Sequence, residues 1–268
     1  MTRWTTERIW DAVDAWRWVP PSARREVTAE VELAVTPGSY ALTYAYGFRV
    51  DDPARVDDRL EWLRRRVQAL GGTGVKVFVT PRSRPADLGE QLERHGYQPR
   101  EETEVLVWEL RDDRNRPRMP GFPVPKSVST REILTVEEFE TFTALGSSVF
   151  GDPAPSPETW REFVADFQRK IREQGYSERF LGFDGPTPVG RAGMQVVGPV
   201  ARFWGTGVLP NFRRHGVYGA LVRARCQSAA DRGAELALVT ARVGTSGPIL
   251  KRHGFEAKGS VRVFEARW

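Results

Sequence analysis

Apolar residues recur along the chain in two spacings, which predict where helices and strands form. Leu60, Leu63, Val67 and Leu70 recur at helical spacing and predict a helix over 56–70, and a similar apolar face predicts a second helix over 217–232. Runs of apolar and β-branched residues predict strands at 41–50, 75–80, 104–110, 127–134, 180–183, 189–197, 200–209, 235–241 and 260–268. This mixture of elements predicts an α/β (α+β) protein.

One short motif occurs twice and indicates an internal repeat. Leu-Glu-Arg-His-Gly-Tyr at 92–97 reappears as Leu-Lys-Arg-His-Gly-Phe at 250–255. Each copy is preceded by a predicted helix and strand and is followed by a β-rich segment. Because the order of elements is shared as well as the six-residue motif, the two halves of the chain are interpreted as copies of one unit.

Local signals place further elements in the second half. Thr135 and Glu138 have the spacing of a capping box, and Ser156 before Pro157 predicts another helix start. The second of these helices carries an apolar stripe formed by Trp160, Phe163, Val164, Phe167 and Ile171. Asp184-Gly185 predicts the turn of a hairpin.

Four prolines mark the boundary between the halves. Pro117, Pro120, Pro123 and Pro125 each lack an N–H donor and favour an extended predecessor, so the stretch is predicted to be a semi-stiff linker. The predicted organisation is an N-terminal domain at 1–112, a Pro-rich linker at 113–126 and a C-terminal domain at 127–268.

Composition excludes several classes of protein. The chain has 268 residues, 40% of them hydrophobic, which is enough for two domains with their own cores. The net charge is +5, and the basic residues are interleaved with 35 acidic residues along the chain. This pattern favours a mixed, solvated surface over a nucleic-acid-binding face. The single cysteine, Cys226, excludes an intrachain disulfide and gives no metal site. With no signal peptide and no membrane-spanning run predicted, the expected location is the cytoplasm.

The turn after the strand at 200–209 has the chemistry of an anion site. The strand ends near Pro210, and Arg213, Arg214 and His215 precede Gly216, where a helix is predicted to begin. The first N–H groups of a helix have no internal partner, and its dipole favours negative charge there. Arginine side chains add paired hydrogen bonds to phosphate oxygens, while the glycine permits close approach of the backbone.

Taken with the strand and the Gly-Phe segment that follow, this turn resembles the loop of the GNAT superfamily of acyl-CoA-dependent N-acyltransferases. Val208 and Pro210 match the strand end, and Arg213 and Gly216 match the loop motif. Tyr218 stands where the family has a small residue, and Gly219 follows it. The resemblance covers residues 127–268 and implies tandem GNAT-like folds with mixed, mostly antiparallel sheets flanked by helices. It also implies a pair of splayed strands at the cofactor cleft.

The resemblance also implies the cofactor and its contacts. Acetyl-CoA is the expected co-substrate, with no metal. The expected cofactor-binding residues are Val208, Leu209, Arg213, Arg214, His215, Gly216, Val217, Tyr218 and Gly219. Backbone groups of Val208 and Leu209 are expected to pair with the pantetheine arm, and their N–H groups could polarise the thioester oxygen.

The first half lacks this loop. After the strand at 41–50 comes an acidic stretch containing Asp51, Asp52, Asp57 and Asp58, whose charges would repel a pyrophosphate. The N-terminal domain is therefore predicted to be a degenerate GNAT-like copy that supports the second half or walls its substrate cleft.

The catalytic acid and base are less well defined. Leu250 stands where many family members have a tyrosine acid, and Val243 stands where an asparagine is frequent. Ser246 and Tyr218 are the candidate catalytic residues, with Thr240 a further substitute. A thiolate leaves readily enough to manage without full protonation. Candidate bases are Glu162, Asp184 and the carboxylate of Trp268, with a water chain as the alternative.

Three hypotheses follow for function. The first is an acetyl-CoA-dependent N-acetyltransferase acting on a primary amine of a small molecule or peptide, in a cleft lined by aromatics such as Trp160, Phe163 and Trp204. The second is a non-catalytic acyl-CoA-binding sensor or regulatory protein, motivated by Leu250 and Val243. The third is a nucleic-acid binder, motivated only by net charge. The expected partners are therefore an amine acceptor and neither nucleic acid nor membrane; the sequence leaves oligomeric state open.

Overall fold

The computed structural model describes residues 4–15, 17, 19, 23–112, 114–151 and 154–268, except for the side chains at 39–41. These residues form two compact units that do not follow chain order. The first unit contains 1–105, 241–248 and 257–268, and the second contains 106–240 and 249–256. The division predicted from the sequence, with domains at 1–112 and 127–268, stays a prediction, and Asp113 at the start of the predicted linker lies outside the described residues.

Helices and strands are numbered here in chain order. The elements of the first half are α1 (Thr6–Ala15), β1 (Arg24–Val27), β2 (Glu32–Thr36), β3 (Ser39–Tyr46), α2 (Val56–Ala69), β4 (Gly74–Val79), α3 (Leu88–Arg94) and β5 (Gln98–Glu109). Those of the second half are β6 (Val128–Glu132), α4 (Val136–Phe150), α5 (Pro157–Gln174), β7 (Arg179–Asp184), β8 (Thr187–Val197), β9 (Val200–Val208), α6 (Val217–Asp231), β10 (Leu236–Arg242), α7 (Ser246–Arg252) and β11 (Glu256–Arg267).

In the first unit the strands run in the order β1-β2-β3-β4-β11, followed by the beginning of β5. The β3–β4 pair is parallel, whereas β11 pairs antiparallel with β4, from Arg262 opposite Val79 to Arg267 opposite Gly74. Helix α2 buries Leu60, Leu63 and Val67 in the hydrophobic core of this unit, as their spacing predicts.

In the second unit the end of β5 is followed by β10-β9-β8-β7-β6. Helices α4 and α5 contribute Phe139, Phe142 and Phe167 to a core that includes Leu181 of β7. Both predicted helix starts are confirmed. Thr135 and Glu138 form a reciprocal capping box, and the hydroxyl of Ser156 accepts a hydrogen bond from the N–H of Thr159. The predicted hairpin is also confirmed as β7 and β8.

Strand β9 is adjacent to β10 over only part of its length. The two strands pair in parallel from Val200 opposite Leu236 to Phe203 opposite Val239. Beyond Phe203, β9 continues to pair with β8, and Gly205 and Thr206 lie opposite the single residue Ala192. This β-bulge, with Gly205 at φ +57°, bends the strand where it leaves β10. The result is an opening between the ends of two parallel strands.

The mixed α/β class with mostly antiparallel strands flanked by helices is therefore confirmed. The duplicated six-residue motif also adopts one conformation in both copies. The N–H of Tyr97 donates to the carbonyl of Leu92, and that of Phe255 donates to the carbonyl of Leu250. The glycine between them has a positive φ in each copy, as a helix C-terminus of this kind requires.

Candidate acyl-CoA site

The predicted anion loop leads from the open end of β9 to the start of α6. A short 3-10 turn at Pro210–Phe212 follows the strand, and α6 begins after Gly216, which has φ +87°. The N–H of Ala220 donates to the carbonyl of Gly216 at 3.0 Å and closes the first helical turn. No side chain caps this helix start within the described residues. The N–H groups of the first turn are therefore available to an anionic ligand.

The basic side chains of the loop have different hydrogen-bond partners. Arg213 and Arg214 are exposed, and Nε of Arg213 donates to the carbonyl of Val208 at 3.4 Å. Arg214 has φ +69°, which is uncommon for a residue with a side chain. Nδ1 of His215 lies 3.0 Å from a carboxylate oxygen of Asp184, and this hydrogen bond lowers the pKa of Asp184 below its usual range. The Asp184–His215 pair thus fixes the loop to the end of β7.

The predicted linker at 113–126 packs so closely against Gly216 and Gly219 that neither position has room for a side chain. A Cβ on Gly216 would lie 2.5 Å from Cδ of Pro125, and a Cβ on Gly219 would lie 2.8 Å from Cδ1 of Phe122. Phe122 is buried and also stacks on His253, with ring centroids 3.9 Å apart. The segment is irregular, as expected, but it packs against the first turn of α6.

The backbone of β9 favours one of the two predicted pantetheine contacts. The N–H of Leu209 already donates to the carbonyl of Val189 at 2.9 Å. Because consecutive residues of a strand point their backbone groups to opposite sides, the N–H and C=O of Val208 face away from β8, toward the opening. The assignment of Val208 and Leu209, and of the loop residues 213–219, to the cofactor stays a prediction.

The candidate catalytic side chains lie in different compact units. Tyr218 is half-buried in the second unit, its ring packs edge-on against Phe122, and burial raises the pKa of its phenol. Ser246 belongs to the first unit, where its hydroxyl oxygen accepts a hydrogen bond from the N–H of Arg242 at 3.1 Å. Leu250 is buried, and its aliphatic side chain has no proton to donate.

The remaining candidate acids and bases differ in their surroundings. The carboxylate of Asp184 is paired with His215, whereas Glu162 and Thr240 are exposed. The backbone N–H of Trp268 donates to the carbonyl of Thr73.

The other two histidines and the cysteine have structural surroundings. Nδ1 of His95 lies 2.9 Å from the carbonyl of Gln91, and Nδ1 of His253 lies 3.1 Å from the carbonyl of Gly121. Cys226 is buried, which raises the pKa of its thiol to about 12.

The aromatic residues predicted to line the cleft are joined by two arginines that the sequence analysis missed. Trp160 stacks on Phe139, while Phe163 and Trp204 are partly exposed. The guanidinium of Arg179 lies 5.9 Å from the Trp204 ring centroid, and that of Arg191 lies 3.7 Å from the Phe142 ring. The available signal was an arginine in each of two mostly apolar strands, β7 and β8.

A cavity of about 520 Å³ lies in the first unit. Its aromatic wall contains Tyr44, Tyr46 and Phe78, and burial strongly raises the pKa of Tyr46. Arg242 also lines it, paired with Glu101 at 2.7 Å. Through Arg242, this cavity adjoins the candidate residue Ser246.

Within the described part of the chain, no group of three or more His, Cys, Asp or Glu residues is arranged to hold a metal ion. The helices of that part also include none that combines the length and the apolar character needed to cross a membrane.

Comparison with known proteins agrees with the loop geometry. Residues 139–255 match the model of the acetyltransferase (GNAT) family. No curated protein matches the sequence. A GCN5-related N-acetyltransferase from Kribbella flavida is similar in structure, with a TM-score of 0.65 and 22% identity over 91% of this chain and 89% of its own.

Two other solved structures are similar over most of their length. A GCN5-related N-acetyltransferase from Sphaerobacter thermophilus has a TM-score of 0.66 and 18% identity, covering 96% of this chain and 85% of its own. A tandem GNAT protein from the clavulanic acid biosynthesis pathway has a TM-score of 0.58 and 17% identity, covering 97% of this chain and 87% of its own. At these identities the likeness concerns the fold alone.

Residues 139–255 therefore match a GNAT acetyltransferase domain, which supports an N-acetyltransferase, and the solved structures share its fold. The matched segment begins in α4 and ends at Phe255, so it includes the opening between β9 and β10 and the whole anion loop. The predicted GNAT fold is confirmed.

Proposed function

We propose that this protein transfers an acetyl group from acetyl-CoA to a primary amine of a small molecule or peptide. The observation that carries the proposal is the uncapped start of α6, flanked by the exposed Arg213 and Arg214, at the open end of β9. A pyrophosphate needs N–H donors, positive charge and a close backbone approach, and this loop offers all three.

Two groups of the protein are proposed to assist the transfer, the N–H of Val208 and the hydroxyl of Tyr218. When bound, acetyl-CoA supplies an activated acetyl thioester. The N–H of Val208 faces the opening and is suited to polarise a carbonyl oxygen there. The new C–N bond forms as the C–S bond breaks, and the proton lost by the amine balances the one gained by the thiolate. Tyr218 keeps its proton at neutral pH, as a phenol ordinarily does, and burial raises its pKa further. Its hydroxyl is therefore a neutral O–H group that can donate to the leaving thiolate.

The first half is proposed to be a degenerate copy without a cofactor loop, as its acidic sequence predicts. The tandem arrangement, a cytoplasmic location and the absence of nucleic-acid and membrane partners belong to the same proposal. The acidic stretch carries four aspartates at 51, 52, 57 and 58, where the second half carries arginines and glycines.

The first experiment is a calorimetric titration with acetyl-CoA. Wild type is expected to bind in the micromolar range. Arg213→Glu is expected to weaken binding more than about tenfold, because it replaces a hydrogen-bond donor to phosphate with a negative charge that repels the pyrophosphate. Arg65→Glu is the matched control, since it makes the same charge change on the exposed face of α2. Equal loss in both variants would contradict a specific role for the loop.

Turnover separates the enzyme from the acyl-CoA-binding sensor. Release of free CoA thiol in the presence of a panel of primary amines is expected to continue for many turnovers. Tight acetyl-CoA binding without multiple turnover on any amine would favour the sensor, in which buried Leu250 marks the loss of the usual acid.

A further inference from the structure

Arg179, Gly193 and Trp204 form a row across three strands of the second unit. Arg179 lies opposite Gly193 in the β7–β8 register, and Gly193 lies opposite Trp204 in the β8–β9 register. A Cβ on Gly193 would collide with the indole, so the indole occupies the space that a side chain at 193 would fill. The absence of that side chain brings the Trp204 ring toward the guanidinium of Arg179.

The guanidinium of Arg179 lies among aromatic rings. Its central carbon is 5.2 Å from the ring centroid of Phe139 and 5.8 Å from that of Phe167, in addition to the Trp204 contact. Nη1 donates to the carbonyl of Ser177 at 3.0 Å. Burial lowers the pKa of Arg179, which measures the cost of keeping a cation in these surroundings.

Among the described residues, no carboxylate lies within ion-pair distance of Arg179. The two acidic side chains that influence it electrostatically are Asp166 and Glu178. Asp166 forms an ion pair with Arg169, and Glu178 accepts a hydrogen bond from the N–H of Val196. A guanidinium carries five N–H donors, so Arg179 has donors that these contacts do not use.

Arg191 lies on the same face of the sheet and reaches the bulge of β9. It stands opposite Leu181, two residues along β7 from Arg179. Its Nη1 donates to the carbonyl of Phe142 at 3.1 Å, and a Cβ on Gly146 would collide with this guanidinium. A Cβ on Gly205 would lie 3.4 Å from its Nη2. Arg191 is therefore adjacent to the point where β9 leaves β10.

We propose that the amine acceptor also carries an anionic group, a carboxylate or a phosphate, which Arg179 and Arg191 bind beside the indole of Trp204. A planar guanidinium matches both anions with two parallel hydrogen bonds. The partly exposed indole gives the rest of the acceptor an apolar surface to lie on. This inference rests on the proposed function, because it places the acceptor at the opening beside β9.

The test uses the full-length protein and acceptors matched in pairs. Each pair consists of an amine with a free carboxylate and its neutral amide, such as phenylalanine and phenylalaninamide, and phosphoethanolamine paired with ethanolamine represents the phosphate class. We expect acetylation of acidic members in preference to their neutral partners. A panel in which neutral amines react as well as their acidic partners, or in which no acidic amine reacts, would overturn the inference.

Variants identify the residue responsible. Arg179→Gln is expected to lower kcat/KM for the best acidic acceptor about 10- to 100-fold and to leave its neutral partner nearly unchanged, while Arg179→Lys restores part of the loss. Arg161→Gln removes an exposed arginine of α5 that pairs with Glu158 and serves as the control. An equal loss for both members of a pair would show that Arg179 only supports the fold.

Acetyl-CoA affinity keeps the two proposals separate. Intact acetyl-CoA binding with no preference for acidic amines would refute only the anionic acceptor. Failure of wild type to bind acetyl-CoA would refute the proposed function itself. Thermal melting of each variant shows whether it is folded, and unchanged acetyl-CoA binding by Arg179→Gln shows that its second unit remains intact.

Discussion

Helices α2 and α6 follow a similar arrangement of strands but begin with opposite chemistry. Each follows a strand that is paired in parallel with the next strand of its own half, β3 with β4 and β9 with β10. Asp52 caps the turn before α2 by accepting from the N–H of Ala54 at 3.0 Å, and Asp57 and Asp58 lie in its first turn. The first turn of α6 carries no acidic residue and follows two arginines.

The two halves share backbone features but differ in the side chains at the position of the proposed anion site. The helical motif that ends in His95-Gly96 keeps the same backbone hydrogen bonds as the one that ends in His253-Gly254. At the second and third positions of the helices, however, Asp57 and Asp58 stand where α6 has Tyr218 and Gly219. Both helices have the same dipole, but in α2 acidic side chains already meet it. Under the proposed function, these few side chains distinguish the half that is suited to a pyrophosphate from the half that is not.

The largest effect is expected when the acidic pattern of α2 is transferred to α6. Gly219→Asp places a carboxylate at the equivalent of Asp58, and its Cβ would lie 2.8 Å from the ring of Phe122. Repulsion of the pyrophosphate and displacement of Phe122 act together, so acetyl-CoA affinity should fall more than about 100-fold. Calorimetry measures this loss. Gly219→Ala isolates the steric part and should retain more affinity than the aspartate; equal affinities would remove charge from the explanation.

A smaller loss is expected from Gly216→Ala. The alanine must adopt φ +87° and approach Pro125, which combines backbone strain of about 1–2 kcal/mol with a steric clash. Acetyl-CoA affinity should fall about tenfold as the loop shifts. Gly233→Ala is the matched control, because Gly233 has φ +82° after the other end of α6 and open space around it. Urea denaturation should show strain in both variants, and only Gly216→Ala should lose affinity.

Asp57 takes the position of Tyr218 in the first half, and removal of the Tyr218 hydroxyl tests chemistry separately from binding. Tyr218→Phe should lower kcat about tenfold if the phenol donates to the leaving thiolate, while acetyl-CoA affinity changes little. Burial raises the pKa of the phenol, so it stays protonated through neutral and mildly alkaline pH, and its ionisation should cause no fall in rate in that range. Stopped-flow measurement of thiol release across pH checks this. An unchanged kcat would remove Tyr218 from catalysis.

Short-range patterns in the sequence were sufficient to predict the helix starts and the loop before α6. The capping box at Thr135 and the cap at Ser156 depend on residues three positions apart, so their structures follow from short-range hydrogen bonding. The anion loop was likewise predicted from the order of strand, arginines, glycine and helix. Acidic side chains near α2 were visible for the same reason, since the residues that interact are neighbours in the chain.

Long-range packing was beyond the sequence patterns. The pairing of β11 with β4 joins distant segments, and alternation of apolar residues does not specify which partner a strand selects. Phe122 also packs against Gly219, and Arg191 packs against Gly146. In each case a large side chain contacts a glycine that is distant in the sequence. Such contacts depend on tertiary geometry, which explains why Arg179 and Arg191 emerged only from the structure.

The smallest effect is expected at the start of α2. Asp58→Asn removes a charge that interacts favourably with the helix dipole, so the free energy of unfolding should fall by only about 0.3–1 kcal/mol. Acetyl-CoA affinity should remain within about twofold of wild type, because the proposed site belongs to α6. Urea denaturation and calorimetry measure the two quantities on the same sample. A clear gain in acetyl-CoA affinity or stoichiometry would mean that the aspartates at α2 suppress a second anion site, and the first half could then no longer be described as a copy without a cofactor function.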